Sequence, residues 1–257
     1  MNCKNVIVKI PCKAMVQGIT SHPELGKPDY IRALAQHDAY IKAMESLGVK
    51  VRILAADESY PDSCFVEDVA VVSEKCAVVT NPGAPSRNAE TGAIIPVLED
   101  FWTKESIHRI AAPGTLEGGD VMRVENTFYA GLSERTNAEG IRQFTAIMGR
   151  YGYKTIAVPL TEVLHLKTGV NYLDGNKLLV TGEFITKEEF ASFDKTVIPR
   201  EEDYAANCLW INGTVILPAG FPKTEAIIRR LGWPVLPVDT SEFRKLDGGL
   251  SCLSLRF

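Results

Sequence analysis

The chain has few cysteines for its length and no cluster of them. Six cysteines are spread over 257 residues without a Cys-x-x-Cys pair, which argues against a disulfide framework and against a local zinc-binding pair. No apolar run reaches the roughly 18 to 20 residues needed to cross a bilayer, and Met1 to Ile10 carries no signal-peptide cleavage pattern. We therefore expect a cytoplasmic protein, not inserted in a membrane, whose cysteines are mostly reduced and buried.

The chain also lacks an excess of basic residues. With 28 Lys and Arg against 32 Asp and Glu, its net charge is −4, which disfavours a general nucleic-acid binder and suits a small cationic ligand better. No Gly/Ser-rich linker, low-complexity tract or charge block divides it. Because 46% of the residues are hydrophobic and 23% charged, we expect an ordinary globular chain forming a single domain over residues 1–257.

A hairpin–helix–strand order recurs along the chain. Asp120 to Ala130 alternates strand-forming residues around a turn at Glu125-Asn126, and Asn137 to Tyr151 has apolar residues at helical spacing. Gly152 ends that helix, and Thr155 to Val158 reads as the closing strand. The same order returns in the hairpin Cys208 to Leu217, whose Asn-Gly turn is a strong hairpin signal.

Further copies bring the count to about five. The remaining predicted elements are a helix at Lys223 to Leu231 and a strand at Pro234 to Val238; a hairpin at Val69 to Thr80, a helix at Ile95 to Lys104 and a strand at Ile107 to Pro113; a hairpin at Asn171 to Thr181, a weak helix at Glu188 to Asp194 and a strand at Lys195 to Pro199; and an opening unit of Asn5 to Ile10, Pro28 to Leu47 and Val49 to Leu54. Such a repeat predicts a ring or propeller-like array. An ordinary α/β fold that merely alternates strands and helices is the alternative.

Three chemically distinctive residues follow the closing strands of successive units. Glu117, His165 and Cys252 lie where the chain turns back into the next hairpin, and such points converge if the units surround an axis. A cysteine nucleophile needs a thiolate, a proton-shuttling base and a carboxylate that orients the base. Each residue also has a simpler interpretation as core histidine, turn cap or buried strand residue. A zinc site is a further alternative, although no local ligand pair supports it.

A second set of residues suggests recognition of charge. Asp62, Glu67 and Asp68 open an apolar strand, and carboxylates at the mouth of a site accept paired hydrogen bonds from a guanidinium. Arg87 and Arg135 lie on loops rich in Gly, Pro and Ser, as residues that bind a ligand carboxylate often do. Solvated surface positions are the alternative for all five.

Seven motifs in order resemble those of the dimethylarginine dimethylaminohydrolase family. They are PDSCFVEDVAVV, NPGAPSR, LEGGDV, GLSERTN, LHLKTG, DYAAN and DGGLSC, and they extend from Asp62 to Cys252. The resemblance implies an α/β fold, the five-bladed αβ-propeller of the guanidine-modifying (pentein) superfamily, with ββαβ repeats around a central active-site channel.

The resemblance also implies roles for individual residues. Cys252 would be the nucleophile, His165 the general acid and base, and Glu117 its carboxylate partner. Asp62, Glu67 and Asp68 would contact the amino-acid and guanidinium ends of the substrate, Arg87 and Arg135 its carboxylate. Ile19 matches a lid position that is usually leucine in relatives.

The implied reaction converts N-omega-methylated L-arginine to L-citrulline without a metal or organic cofactor. The alternatives are an arginine deiminase-like hydrolase, an agmatine-directed enzyme, an amidinotransferase and a non-catalytic propeller used for binding. Length disfavours the deiminase, since that family typically carries an additional helical domain. A homodimer is compatible with the sequence.

Overall fold

Five three-stranded sheets make up the computed structural model, which describes residues 2–257. In chain order the strands are β1 (Asn5–Lys9), β2 (Lys50–Leu54), β3 (Ala70–Val72), β4 (Ala77–Val79), β5 (Ile107–Arg109), β6 (Val121–Val124), β7 (Thr127–Leu132), β8 (Lys154–Pro159), β9 (Val170–Asp174), β10 (Lys177–Val180), β11 (Asp194–Val197), β12 (Leu209–Ile211), β13 (Thr214–Pro218), β14 (Val235–Val238) and β15 (Leu255–Arg256).

In the described part of the chain six α-helices accompany these strands, and the first of them is the longest. They are α1 (Tyr30–Ser46), α2 (Thr91–Leu98), α3 (Ala138–Arg150), α4 (Leu166–Gly169), α5 (Pro222–Arg230) and α6 (Ser241–Arg244). Short 3₁₀ helices cover Lys13–Gln17, Pro23–Leu25, Val66–Val69, Pro85–Glu90, Lys104–Ser106, Gly118–Asp120, Gly182–Ile185, Glu188–Phe190, Arg200–Ala206 and Ser251–Leu253. Within residues 2–257, no helix combines the length and the apolar character that a membrane crossing requires.

In each of the last four sheets a hairpin is followed by a strand parallel to its second strand, and in all but the fourth an α-helix connects the two. In the third, β6 and β7 form an antiparallel hairpin, α3 follows, and β8 returns parallel to β7. Asn137 begins α3 by accepting the Gly140 amide proton on its side chain at 2.8 Å. The hairpin of β12 and β13 turns through Asn212 and Gly213, both at positive φ, as the Asn-Gly pair predicts.

The first sheet differs from the other four because its strands come from both ends of the chain. β1 pairs in parallel with β2 and antiparallel with β15, so that Val6 faces Arg256 and Ile7 faces Leu255. The sequence offered no signal for β15, because two residues are too few for a strand pattern. The last strand thus completes the first unit.

Two predicted helices are wrong in position or kind. The helix expected at residues 95–104 is α2, which begins four residues earlier because Thr91, Ile94 and Leu98 are the residues of its buried face. The weak helix expected at residues 188–194 is only a 3₁₀ turn at Glu188–Phe190, since β11 already begins at Asp194.

The hydrophobic core is divided among the contacts between neighbouring sheets. Successive side chains of a strand point to opposite faces, so Val6 packs toward β12–β14 while Ile7 packs toward β3 and β4. In the same way, Val121 joins the second and third sheets and Met122 the third and fourth. The remaining cluster joins the fourth and fifth sheets through residues such as Leu179 and Val215. Five such clusters link each sheet to the next and the fifth to the first, which confirms the predicted five-bladed ring.

Candidate active site

The proposed catalytic residues lie at equivalent points of different blades, as the repeat predicted. Glu117 precedes the 3₁₀ turn that leads into β6, His165 precedes α4 and β9, and Cys252 lies in the 3₁₀ turn before β15. Asp68 occupies the corresponding turn before β3. All four side chains line one cavity, because each is delivered at the entrance to a hairpin.

His165 and Glu117 form a buried hydrogen-bonded pair. The Nε2 of His165 lies 2.7 Å from Oε2 of Glu117, whose other oxygen accepts the Ala84 amide proton at 3.1 Å. Burial alone would lower the pKa of His165, but Asp120, the bond to Glu117 and the charge of Asp68 raise it to about 9. Burial works against ionisation of Glu117 too, yet its bond to His165 keeps its pKa below the ordinary value. The pair is therefore an imidazolium and a carboxylate at neutral pH.

Asp68 is held from two sides next to this pair. Its Oδ1 accepts the Gly119 amide proton at 2.9 Å, and its Oδ2 accepts from Nη1 of Arg87 at 2.6 Å. A Cβ on Gly119 would lie 3.0 Å from both Asp68 Oδ1 and the His165 ring. Glycine is thus needed there so that the backbone, the acid and the imidazole can approach one another.

The two arginines differ in how their donors are used. Arg87 is buried and bonded to Asp68, to Glu90 and to the backbone oxygens of Asp62 and Phe65. Burial opposes its charge, but Asp68 and Glu90 hold the pKa of Arg87 above its ordinary value. The side chain of Arg135 is 22% exposed, and its Nη1 lies 4.0 Å from Glu117 Oε1.

The opposite wall of the cavity is formed by a loop and two acids. Ile19, 38% exposed, donates its amide proton to Oδ1 of Asp62 at 3.0 Å, and burial raises the pKa of that carboxyl. Two residues on, the Ser21 amide donates to Oδ2 of Asp247 at 2.6 Å. The loop that carries Ile19 is thereby attached to both sides of the cavity mouth.

Cys252 is the least buried of the six cysteines, all of which lie within residues 2–257. Its Sγ accepts the Gly249 amide proton at 3.4 Å. A side chain at Gly249 would collide with Asn207, so the turn before Cys252 needs glycine at this position. Burial, Glu67 and Asp68 raise the pKa of the Cys252 thiol to about 12, so the thiol is protonated at neutral pH.

Glu67 is the one predicted substrate residue that the structure does not bring into this cavity. Its carboxylate binds Lys167, Arg256 and the hydroxyl of Ser251 on the far side of the Cys252 turn. Ile19, Asp62, Asp68, Arg87 and Arg135 all line the cavity together with the three proposed catalytic residues.

Sequence reasoning missed several residues that line the cavity. They are Phe65, Leu164, Leu246 and Asp247. Asp247 carried the clearest unused signal, because an acid directly before Gly-Gly is typical of a turn. It adopts a φ of +60°, and within residues 2–257 its buried Oδ1 has no hydrogen-bond partner.

Asp68, Glu117 and His165 also meet the distance requirement for a metal site, since one ligand atom of each lies within 4.8 Å of the others. Their hydrogen bonds argue against that use. Glu117 is bonded to His165, and both oxygens of Asp68 already accept from Gly119 and Arg87. A cation would have to displace these donors.

A closed ring of five ββαβ units with a cysteine, a histidine and two carboxylates in one cavity defines a class, the guanidine-modifying (pentein) enzymes. Comparison with known proteins identifies the branch. Residues 27–199 match the family model for N,N dimethylarginine dimethylhydrolase, eukaryotic. The chain belongs to the dimethylarginine dimethylaminohydrolase family.

The similarity to individual relatives extends over nearly the whole of this chain. The chain is 51% identical to N(G),N(G)-dimethylarginine dimethylaminohydrolase of Pseudomonas aeruginosa, with 99% of both chains covered. It is 36% identical to the protein of that name from Streptomyces coelicolor, covering 100% of this chain and 98% of the relative. A crystal structure of a cysteine-to-serine mutant of the P. aeruginosa protein, complexed with citrulline, superposes with a TM-score of 0.98 at 50% identity and complete coverage of both chains.

Proposed function

We propose that this protein hydrolyses N-omega-methylated L-arginine to L-citrulline and dimethylamine or methylamine, with Cys252 as nucleophile. The observation that carries the proposal is the meeting of Cys252, His165, Glu117 and Asp68 in one cavity. Family membership and the citrulline bound to the P. aeruginosa relative support the same chemistry.

The cavity suits a zwitterionic amino acid with a cationic end. Asp68 is placed to accept from the guanidinium, while Asp62 lies beside the Ile19 loop, where an α-ammonium would enter. Arg135 is the better candidate for the α-carboxylate, since its side chain is partly exposed and its Nη1 lies 4.0 Å from Glu117 Oε1, beyond hydrogen-bond distance. Arg87 would have to give up a bond to Asp68 or Glu90 to reach the ligand, so we assign it to holding Asp68 in place.

In the first step the Cys252 thiolate attacks the central guanidinium carbon and forms a C–S bond. His165, already protonated, gives its proton to the departing methylated nitrogen as the C–N bond breaks. The amine leaves, and a covalent S-alkylthiouronium remains on Cys252.

In the second step water replaces the sulfur. Neutral His165 takes one proton from the water, the oxygen attacks the same carbon, and the C–S bond breaks to release L-citrulline and the thiolate. The second proton of the water passes to solvent, where the released amine takes it up. Glu117 keeps the imidazole oriented in both steps and stabilises its charged form.

Substrate binding favours ionisation of Cys252, whose thiol proton passes to solvent because His165 is already protonated. A guanidinium placed between Asp68 and Cys252 adds a positive charge where two carboxylates now disfavour ionisation of the thiol. The nucleophile is therefore activated only when the correct cation is present.

The test is parallel measurement of citrulline or ureido product from asymmetric dimethylarginine, monomethylarginine, arginine and agmatine, with Cys252→Ser as control. We expect turnover of the methylated substrates and none by the variant. Preference for arginine would instead indicate the deiminase, preference for agmatine would remove the role of Arg135, and transfer to an added amine would indicate an amidinotransferase. No turnover of any substrate would favour the non-catalytic binding module.

A further inference from the structure

Ser251, the residue before Cys252, has all three of its polar groups bonded to other segments. Its amide donates to Oδ1 of Asn207 at 2.9 Å, its hydroxyl donates to Oε2 of Glu67 at 2.8 Å, and its carbonyl accepts from Nη1 of Arg256 at 2.7 Å. The residue is fully buried. The residue that leads into Cys252 is therefore held by three partners, one of which, Arg256, binds the carbonyl of the Ser251–Cys252 peptide.

Two of these partners, Glu67 and Arg256, belong to a buried charge cluster, which we define as Glu67, Lys167 and Arg256. Oε1 of Glu67 accepts from Nζ of Lys167 at 2.5 Å and also from Nη2 of Arg256. Two cations thus share one carboxylate that is only 3% exposed. Buried ion pairs of this kind are weak contributors to stability, because desolvation offsets their attraction. Stability alone does not explain why the cluster is there.

The cluster lies behind the active site and is separate from it. Its three residues line a second cavity of about 400 Å³, and none of them lines the cavity that holds His165 and Cys252. Arg256 belongs to β15, which is anchored to β1. The cluster therefore faces the backbone of the nucleophile and has no place for direct contact with substrate.

We infer that Glu67 and Arg256 are positioning residues that act through Ser251 to aim the Cys252 sulfur at the guanidinium carbon. This inference rests on the proposed role of Cys252 as nucleophile. Sγ has one bond to rotate about, so the orientation of the Ser251 peptide and the bond from the Gly249 amide together set its direction. A misplacement of about 1 Å costs on the order of 100-fold in rate. Glu67 then acts on the enzyme, whereas the sequence suggested that it contacts substrate.

The test compares Ser251→Ala with Ser73→Ala. Both serines are fully buried, and the Ser73 hydroxyl bonds to the Cys76 backbone in the second sheet, far along the chain from Cys252. The matched pair thus distinguishes the effect of removing a buried hydroxyl from the effect of misorienting the Cys252 sulfur. For Ser251→Ala we expect kcat on asymmetric dimethylarginine to fall roughly 10- to 100-fold, with KM changed less than about threefold. For Ser73→Ala we expect both constants to stay near those of the wild type.

A second variant, Arg256→Lys, keeps the positive charge beside Glu67 but has a single ammonium in place of the guanidinium that bonds Ser251 and Ser254. We expect it to lose kcat as Ser251→Ala does. Wild-type kcat in both variants, equal losses in Ser251→Ala and Ser73→Ala, or an effect confined to KM would overturn the inference.

A second measurement tests the positioning role even if the protein turns over no substrate. The rate at which iodoacetamide alkylates Cys252 needs no substrate, and it should rise at least about threefold in Ser251→Ala and stay constant in Ser73→Ala. If the wild type turns over no substrate, the proposed function fails, while this comparison still decides whether Ser251 aims the thiol. An unchanged alkylation rate would count against the positioning role.

Discussion

Nη1 of Arg87 lies 2.6 Å from Oδ2 of Asp68, and both side chains are more than nine-tenths buried. The arginine that the sequence assigned to a ligand carboxylate is therefore bonded to an acid of the protein. Glu90 shares the same guanidinium at 2.9 Å. This triad fixes the position of Asp68 in the cavity.

Replacing Arg87 by Met should destabilise the fold strongly. Asp68 and Glu90 would be left buried without their cation, a situation that costs about 3 to 5 kcal/mol. Urea denaturation of the wild type and Arg87→Met measures the difference. A loss below about 1 kcal/mol would show that the two acids find other partners.

Arg135→Met is the matched change on an arginine with uncommitted donors. Because its side chain is partly exposed and makes no close ion pair, we expect little loss of stability. We expect KM for methylarginine to rise roughly 10- to 100-fold, since a charge-assisted hydrogen bond contributes about 1.5 to 3 kcal/mol. The same variant should treat a methylated agmatine, which lacks the carboxylate, as the wild type does. An equal KM penalty on both substrates would remove Arg135 from the carboxylate.

The native protein should be alkylated at one cysteine of the six. Cys252 is partly exposed while the other five are buried. Because burial and two carboxylates raise the pKa of Cys252 to about 12, its rate of reaction with iodoacetamide should climb steadily between pH 7 and pH 10. Mass spectrometry locates the label, Cys252→Ser is the control, and citrulline should protect. A rate that levels off near pH 7 would mean that the free thiol is already ionised.

The His165–Glu117 pair should stabilise the fold only over part of the pH range. The pKa of His165 is raised to about 9 from its ordinary 6.5, so its contribution is complete below pH 6.5 and is lost as pH rises through 9. The pKa of Glu117 is lowered from 4.5, so its contribution is present above pH 4.5 and is lost at more acid pH.

The corresponding measurement is the free energy of unfolding of the wild type and of His165→Gln from pH 5 to pH 10. The wild type should lose roughly 3 kcal/mol more than the variant between pH 6.5 and pH 9.5. Parallel curves would show that the imidazole is neutral in the native state.

Gly119 and Gly149 offer a matched test of close packing at the site. A methyl group at Gly119 would press on Asp68 and His165, whereas nothing lies within 4 Å of a Cβ at Gly149, which is inside α3. Gly119→Ala should lower kcat/KM at least about tenfold through misplacement of the imidazole. Gly149→Ala should leave activity unchanged and raise the free energy of unfolding by about 0.5 to 1 kcal/mol, as expected in a helix interior. Wild-type activity in Gly119→Ala would show that the turn at residues 118–120 can shift to accommodate a methyl group without displacing Asp68 or His165.

The repeating hairpin, helix and strand were predictable because each blade carries its own local signals. Turn residues such as Asn212-Gly213 and the N-cap Asn137 act within a few positions along the chain. What could not be predicted depends on distant partners. β15 is a strand only because β1 lies beside it. The helix expected at residues 188–194 is cut short because the chain already enters β11 at Asp194.

The site followed the same division. The convergence of Glu117, His165 and Cys252 could be inferred from their equivalent places in the repeat. The partners of Glu67 and Arg87 could not be inferred. Lys167 and Arg256 lie 100 and 189 residues from Glu67, and no sequence signal shows that Glu90 is buried against Arg87. Neighbouring charged residues of one motif, such as Glu67 and Asp68, cannot be told apart from the sequence. Only the folded structure shows which side chain lines the cavity and which pairs with other residues of the protein.

The pairing of β15 with β1 also orders events in time. Val6 meets a partner 250 residues later, a delay of roughly ten to fifty seconds at ordinary rates of protein synthesis. Until then the first blade has an unpaired strand edge, which is a site for aggregation or chaperone binding. Cys252 emerges with the segment that closes this edge, so a nascent chain acquires its reactive thiol and its finished ring together.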